Sequence, residues 1–284
     1  MLKNKKYNFM EITIQEKQKA ERLIKVFLDN KHLLPYANIN VDKVYQGWVV
    51  DFKLSDPNKK SISLDLTKEN DLFLLFVLAI VWSRTGPWEN SAYFVSYLKL
   101  NNKNTEKFWK NELNVVRERE EKDKAAELIS NELSGLKPRK KISFRKDIYA
   151  SINLLANNWR TILQKLKDSE KSHNFEIFMS FMRSIEGLGV GNNKILIKIP
   201  LILRELKCQG IYNNISGELC CVPDARVYDA AKSLGIGIPK TSNLDNLKAS
   251  SRKIYRLFGD LYDLPLFAYE DLKHLFSENK IANT

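Results

Sequence analysis

The hydrophobic positions fall into patterns that define most of the elements. Over 13–30, Ala20, Leu23, Ile24, Phe27 and Leu28 recur at helical spacing and Asn30 closes the run, which predicts an amphipathic helix. Over 41–66 the character changes. Val44, Tyr45, Trp48, Val49, Val50 and Phe52 are β-branched or aromatic, Asp56-Pro57-Asn58 is a turn signal, and Ile62, Leu64 and Leu66 alternate with polar residues. That pattern predicts a small β-hairpin. The run 72–82 is apolar on every side and predicts a helix buried in a helical core.

The later segments are helical again. Aromatic-rich helices are expected at 91–99 and 105–117, a charged and solvated helical face at 118–130, and amphipathic helices at 147–166 and 174–186. Two more helices are expected at 243–259 and 268–280, with Asp263-Leu264-Pro265 between them. No internal repeat or low-complexity segment interrupts this order. The fold class expected is mainly α with a small N-terminal β element.

Charge adds a partner class. The 284 residues carry a formal net charge of +12, with a pI of about 9.4. That balance favours a polyanion, nucleic acid before an anionic membrane surface, unless lysine is simply abundant throughout the proteome. In the stretch 136–146, six of eleven residues are Lys or Arg, readable as a solvated linker or as a phosphate-tracking patch. The longest apolar run, 72–82, is far shorter than the ~20 residues of a membrane span. No apolar run follows the basic first residues, so no secretory signal is expected. The three cysteines (Cys208, Cys220, Cys221) point to a reducing cytosol without a disulfide framework. His32, His173 and His274 lie far apart, and no Cys/His spacing fits a zinc site.

The chemistry concentrates in 185–235. Gly187, Gly189 and Gly191 form a glycine-rich connection with the shape of a helix-hairpin-helix turn, where the backbone can approach a phosphate. Lys194 then stands at the mouth of an apolar helix containing Ile195, Leu196, Ile197, Ile199, Leu201, Ile202 and Leu203. Partial burial there would lower its pKa and free the amine as a nucleophile, with Lys198 one turn on adding like-charge depression. A surface lysine that keeps its head in water satisfies the same pattern. Asp224 follows Val222-Pro223 and precedes Ala225-Arg226-Val227 at a helix start. A carboxylate there caps the helix, and it can also face a developing cation.

The combination of a hairpin, a lysine, about thirty residues and then Pro223-Asp224-Ala225-Arg226-Val227 resembles the helix-hairpin-helix DNA glycosylase superfamily. Within it the chain is most similar to the archaeal GO glycosylases, which are 8-oxoguanine DNA glycosylase/lyases. Gly191-Asn192-Asn193-Lys194-Ile195-Leu196 resembles the nucleophile helix of that family. The segment 221–227 resembles its Pro-Val-Asp-Tyr-Arg-Val signature, 264–272 its final helix, and 82–97 is a fainter echo. The likeness spans roughly 75–280 and is specific only around Lys194 and Asp224.

The resemblance implies a two-lobed fold and a bifunctional DNA glycosylase/AP lyase acting without metal or redox cofactor. Lys194 would be the nucleophile and Asp224 the stabiliser of the cationic sugar. Trp88, Lys198, Glu270 and His274 would line the base pocket. Gly187, Gly189, Gly191 and Arg226 would meet phosphates. One lobe would comprise 1–70 and 236–284, the other 71–235. The expected partner is double-stranded DNA bearing a damaged or modified base, bound by a monomer in the cytoplasm at the nucleoid, with no membrane. Two positions depart from the family. Glu270 and His274 stand where an acidic residue and a Trp help form its pocket, and the pocket Trp near Arg84-Thr85-Gly86 has only Trp88, one loop shift away, or Ser91 as counterpart. The excised base that the resemblance implies would therefore be 8-oxoguanine or another modified base, such as a bulky one in foreign DNA. A non-catalytic DNA-binding module with the same hairpin, or a helical interaction protein, are the rival classes.

Overall fold

The computed structural model describes residues 11–34, 36–47, 49, 63–82, 88–100, 146–186, 188, 195–241 and 243–278. Among these residues the chain is mainly helical, with nine α-helices and no sheet. The helices are α1 (Ile14–Asn30), α2 (Glu69–Trp82), α3 (Trp88–Leu100), α4 (Lys146–Lys171), α5 (Glu176–Ser184), α6 (Ile199–Cys208), α7 (Ala225–Leu234), α8 (Leu244–Phe258) and α9 (Leu264–Glu278). None of them is long and apolar enough to cross a membrane. The chain divides into two compact units, Met1–Gln46 with Ser216–Thr284, and Gly47–Ile215. The expected divisions at 70/71 and 235/236 differ from these. The observed division groups Asp224 and its helix with the N-terminal and last helices.

In the unit of Met1–Gln46 and Ser216–Thr284, α1 starts on a complete capping box. The Thr13 hydroxyl accepts the Glu16 amide at 3.1 Å, and the Glu16 carboxylate accepts the Thr13 amide at 2.9 Å. Each side chain thereby satisfies a backbone donor that the first turn leaves open. Ala20, Leu23, Val26 and Phe27 form the buried face of α1, which packs on α8 and α9. Glu16 does a second job. Its Oε1 accepts Lys253 Nζ at 2.8 Å and the Gly237 amide at 2.9 Å, so a buried ion pair joins α1, α8 and the chain between α7 and α8. Helix α7 ends where Gly235 turns left-handed at φ +68°, with the Gly235 and Ile236 amides donating to Lys232 and Ala231 carbonyls.

In the unit Gly47–Ile215, α2 is the core. Its side chains 72–81 are all buried, as a helix apolar on every side requires. Trp159 of α4 sets its ring edge-on to Phe73 and Phe76, at 4.9 and 5.2 Å between centroids, and donates its indole N–H to Glu69 at 3.1 Å. The Asp71 carboxylate accepts the Asp65 amide at 2.7 Å and Lys99 Nζ at 2.6 Å, which ties the start of α2 to the last turn of α3. Glu205 of α6 is fully buried and accepts the Val49 amide at 3.4 Å.

Several elements differ from their sequence expectation for identifiable reasons. The apolar segment after Lys194 is not one continuous helix. Ile195–Lys198 is a 3-10 turn, and α6 begins at Ile199 with Pro200 in its first turn, the place where a missing N–H is tolerated. Helix α9 starts at Leu264 rather than 268, because Pro265 enters a first turn instead of ending the preceding loop. Most of the expected hairpin over 41–66 lies outside the described residues. Those described contain one isolated antiparallel bridge, Ile39 to Tyr45, and a Leu64 amide donating to the Val49 carbonyl at 2.7 Å. The expected helix at 105–117, the charged face at 118–130 and all but the end of the basic stretch 136–146 also lie outside them.

Candidate active site

Asp224 sits at the N-cap of α7. Its backbone is extended, and its carboxylate oxygen Oδ1 accepts the Val227 amide at 3.1 Å. The side chain is half-buried. The amides of the first turn and the helix dipole both favour negative charge at that point. A carboxylate held here is oriented by the cap, which is what stabilising a positive sugar would demand.

The chain leading into Asp224 is fixed from behind. The Cys221 amide donates to Ser251 Oγ of α8 at 3.0 Å, and the Val222 amide donates to Asp263 Oδ1 at 2.8 Å. Ser251 and Asp263 are both buried. Pro223 has a fixed φ and no N–H, and its carbonyl accepts the Thr241 hydroxyl at 3.4 Å. The Asp224 amide donates to the Val222 carbonyl at 3.0 Å. A short 3-10 turn, Gly217–Leu219, precedes this segment and packs on α8. There Gly217 allows the close approach: a Cβ would lie 2.3 Å from the Tyr255 ring.

Arg226, expected at a phosphate, is already engaged. Its Nη2 donates to Asp271 of α9 at 2.5 Å, and its guanidinium carbon lies 4.4 Å from the centre of the Phe267 ring. Tyr36 donates its hydroxyl to the same Asp271 oxygen at 3.2 Å and sets its ring edge-on to Phe267. Burial, and then the Asp271 charge, push the Tyr36 hydroxyl well above its ordinary range, so it stays a donor. The pair is partly solvated, with Arg226 35% and Asp271 48% exposed.

The other expected site residues are distributed as follows. Glu270 is exposed and accepts Lys273 Nζ at 2.7 Å, and His274 is exposed on the same helix. Lys198 is buried at the N-cap of α6, its Nζ 4.1 Å from the centre of the Trp82 ring, so an aromatic face offsets the loss of water around the ammonium. Trp88 is the first residue of α3, and its side chain is outside the description. Lys194, Gly187, Gly189 and Gly191 lie outside the described residues.

Three residues that hold this arrangement escaped the sequence reading: Ser251, Asp263 and Asp271. Ser251 and Asp271 are helical residues whose role depends on partners 30 and 45 positions away. For Asp263 a signal existed. An Asp followed by Leu and then Pro is a helix-start pattern, and Asp263 does open α9, its carbonyl accepting the Phe267 amide at 2.8 Å. Among the described residues no group of His, Cys, Asp and Glu is placed to hold a metal ion. The chain matches no protein-family model, no curated protein and no solved structure.

Proposed function

We propose that the protein is a bifunctional DNA glycosylase/AP lyase that removes a damaged or modified base, with 8-oxoguanine the first candidate. The observation that carries this reading is Asp224: a half-buried carboxylate at a helix N-terminus, within the Pro-Asp-Ala-Arg-Val segment whose likeness to the glycosylase signature is most specific. The net charge of +12 supports a duplex DNA partner.

The chemistry follows from the assigned roles. The target nucleotide leaves the stack at a cost of about a few kcal/mol. Asp224 stabilises positive charge on the sugar as the glycosidic bond breaks, and it helps take a proton from the Lys194 ammonium. The amine nitrogen bonds to C1′, and the base departs with the glycosidic electron pair and a proton. Opening of the sugar ring gives the Schiff base. Loss of a C2′ proton then expels the 3′ phosphate by β-elimination and nicks the strand.

A second reading keeps this chemistry and changes the base. Glu270 and His274 favour it, because they stand where the resembled family has an acidic residue and a Trp. A panel of duplexes, each with one modified base, scored for strand nicking, tests both. Nicking at 8-oxoguanine supports the first reading, nicking at another base the second. No nicking at any base or at a preformed abasic site contradicts both and leaves the two rival classes, a non-catalytic DNA-binding module and a helical interaction protein.

A further inference from the structure

We propose that Asp263 is a positioning residue for base excision, acting through the Val222 amide to fix where the Asp224 carboxylate points; this rests on the glycosylase reading above. Asp263 is 3% exposed, and one of its oxygens takes the Val222 N–H at 2.8 Å. Val222 is two residues from Asp224 and separated from it only by Pro223, whose ring fixes φ. The Asp224 amide closes back on the Val222 carbonyl at 3.0 Å. Displacing the Val222 amide therefore displaces Asp224 with little slack in between. Ser251 holds the neighbouring Cys221 amide in the same way, at 3.0 Å, so two consecutive amides are pinned by buried side chains.

The chain accepts an unusual backbone to put Asp263 there. Tyr262, the residue before it, has φ +54° and ψ −134°, a region that residues with a Cβ rarely enter. Its ring is locked by Tyr45, edge-on at 6.1 Å between centroids, and by Tyr255 at 5.9 Å. The Tyr45 amide also donates to the Asp260 carbonyl at 3.2 Å, which pins the start of the same loop. A buried carboxylate that holds the amide two residues from Asp224, at the end of a constrained loop, fits a requirement for accurate placement.

Single-turnover excision by the full chain tests this, with DNA affinity at fixed salt measured beside it. Asp263→Ala is expected to lower excision on the order of 10²-fold, the scale of a misplaced catalytic group, while affinity stays within about threefold. Asp263→Asn, which keeps an acceptor oxygen, is expected to restore excision to within about threefold of wild type. In an Asp224→Asn background, Asp263→Ala is expected to cost nothing further, because its effect passes through Asp224. If Asp263→Ala does not fold, Ser251→Ala is read in the same three assays, with a loss of about tenfold expected. Wild-type excision in either alanine variant that folds overturns the proposal. So does a loss of excision and affinity in step, or an undiminished loss in the Asp224→Asn background. Failure of the underlying reading is distinct: the wild-type protein itself then excises no base.

Discussion

Arg226 and Asp271 meet Nη2 to Oδ2 at 2.5 Å, which ties the first turn of α7 to the middle of α9. The cation expected at a phosphate is thus compensated within the protein, two residues from the candidate catalytic carboxylate. The pair is partly exposed, so its contribution to stability is modest. Asp271→Asn is expected to lower unfolding stability by about 0.5–1 kcal/mol, with a smaller effect at high salt. If Arg226 is a phosphate contact once released, the same substitution steepens the slope of log affinity for DNA against log salt by about 0.9. Urea titration and binding at several salt concentrations read the two effects, and an unchanged slope removes Arg226 from the phosphate contacts.

Asp224 allows capping and catalysis to be separated. Asn caps a helix as well as Asp does, whereas Ala does not. Asp224→Asn is expected to keep the melting temperature and lower excision by about 10²–10³-fold to a measurable residual rate, while Asp224→Ala loses as much excision and about 1 kcal/mol of stability. Unchanged excision by Asp224→Asn would reduce the residue to a cap.

The buried pair Glu16–Lys253 gives a pH dependence with a definite sign. Burial raises the Glu16 pKa, but the Lys253 ammonium and the Thr13 and Gly237 amides outweigh it and hold the group below its ordinary value of 4.5. A carboxyl depressed in the folded state contributes stability above its unfolded pKa and loses it as pH falls through the folded value. Lys253→Met leaves Glu16 buried without its cation and is expected to cost about 3–5 kcal/mol near neutral pH. That difference from wild type should shrink as the pH falls and Glu16 takes up a proton, because without Lys253 burial favours the neutral carboxyl. Denaturation at pH 7 and pH 3 checks it, and a difference that grows on acidification contradicts the assignment.

What was legible in the sequence was local. Helical spacing marks α1, whereas the Thr13–Glu16 capping box that starts it was not read. An all-apolar run marks α2 as buried, and Val222-Pro223-Asp224 marks the start of α7. What was not legible depends on residues that meet only after folding. Glu16 finds Lys253 across 237 positions, and Val222 finds Asp263 across 41. Periodicity carries no sign of such pairs. Two helix starts were also missed: the apolar run was expected to continue through Pro200, and Pro265 was expected between helices, whereas each proline stands in the first turn of a helix, where its missing N–H is tolerated. The candidate site was legible only as a resemblance, and at Asp224 the structure describes a helix cap and the contacts that hold the chain leading into it.

The glycosylase account turns on Lys194 as the nucleophile, and borohydride trapping on a duplex with a preformed abasic site tests it most directly. Reduction would fix the Schiff base as a covalent protein–DNA adduct. Wild type is expected to form the adduct, and Lys194→Ala to form none while still binding the duplex in a salt-dependent way. A wild-type protein that gives no adduct, or a Lys194→Ala variant that gives as much as wild type, contradicts the account.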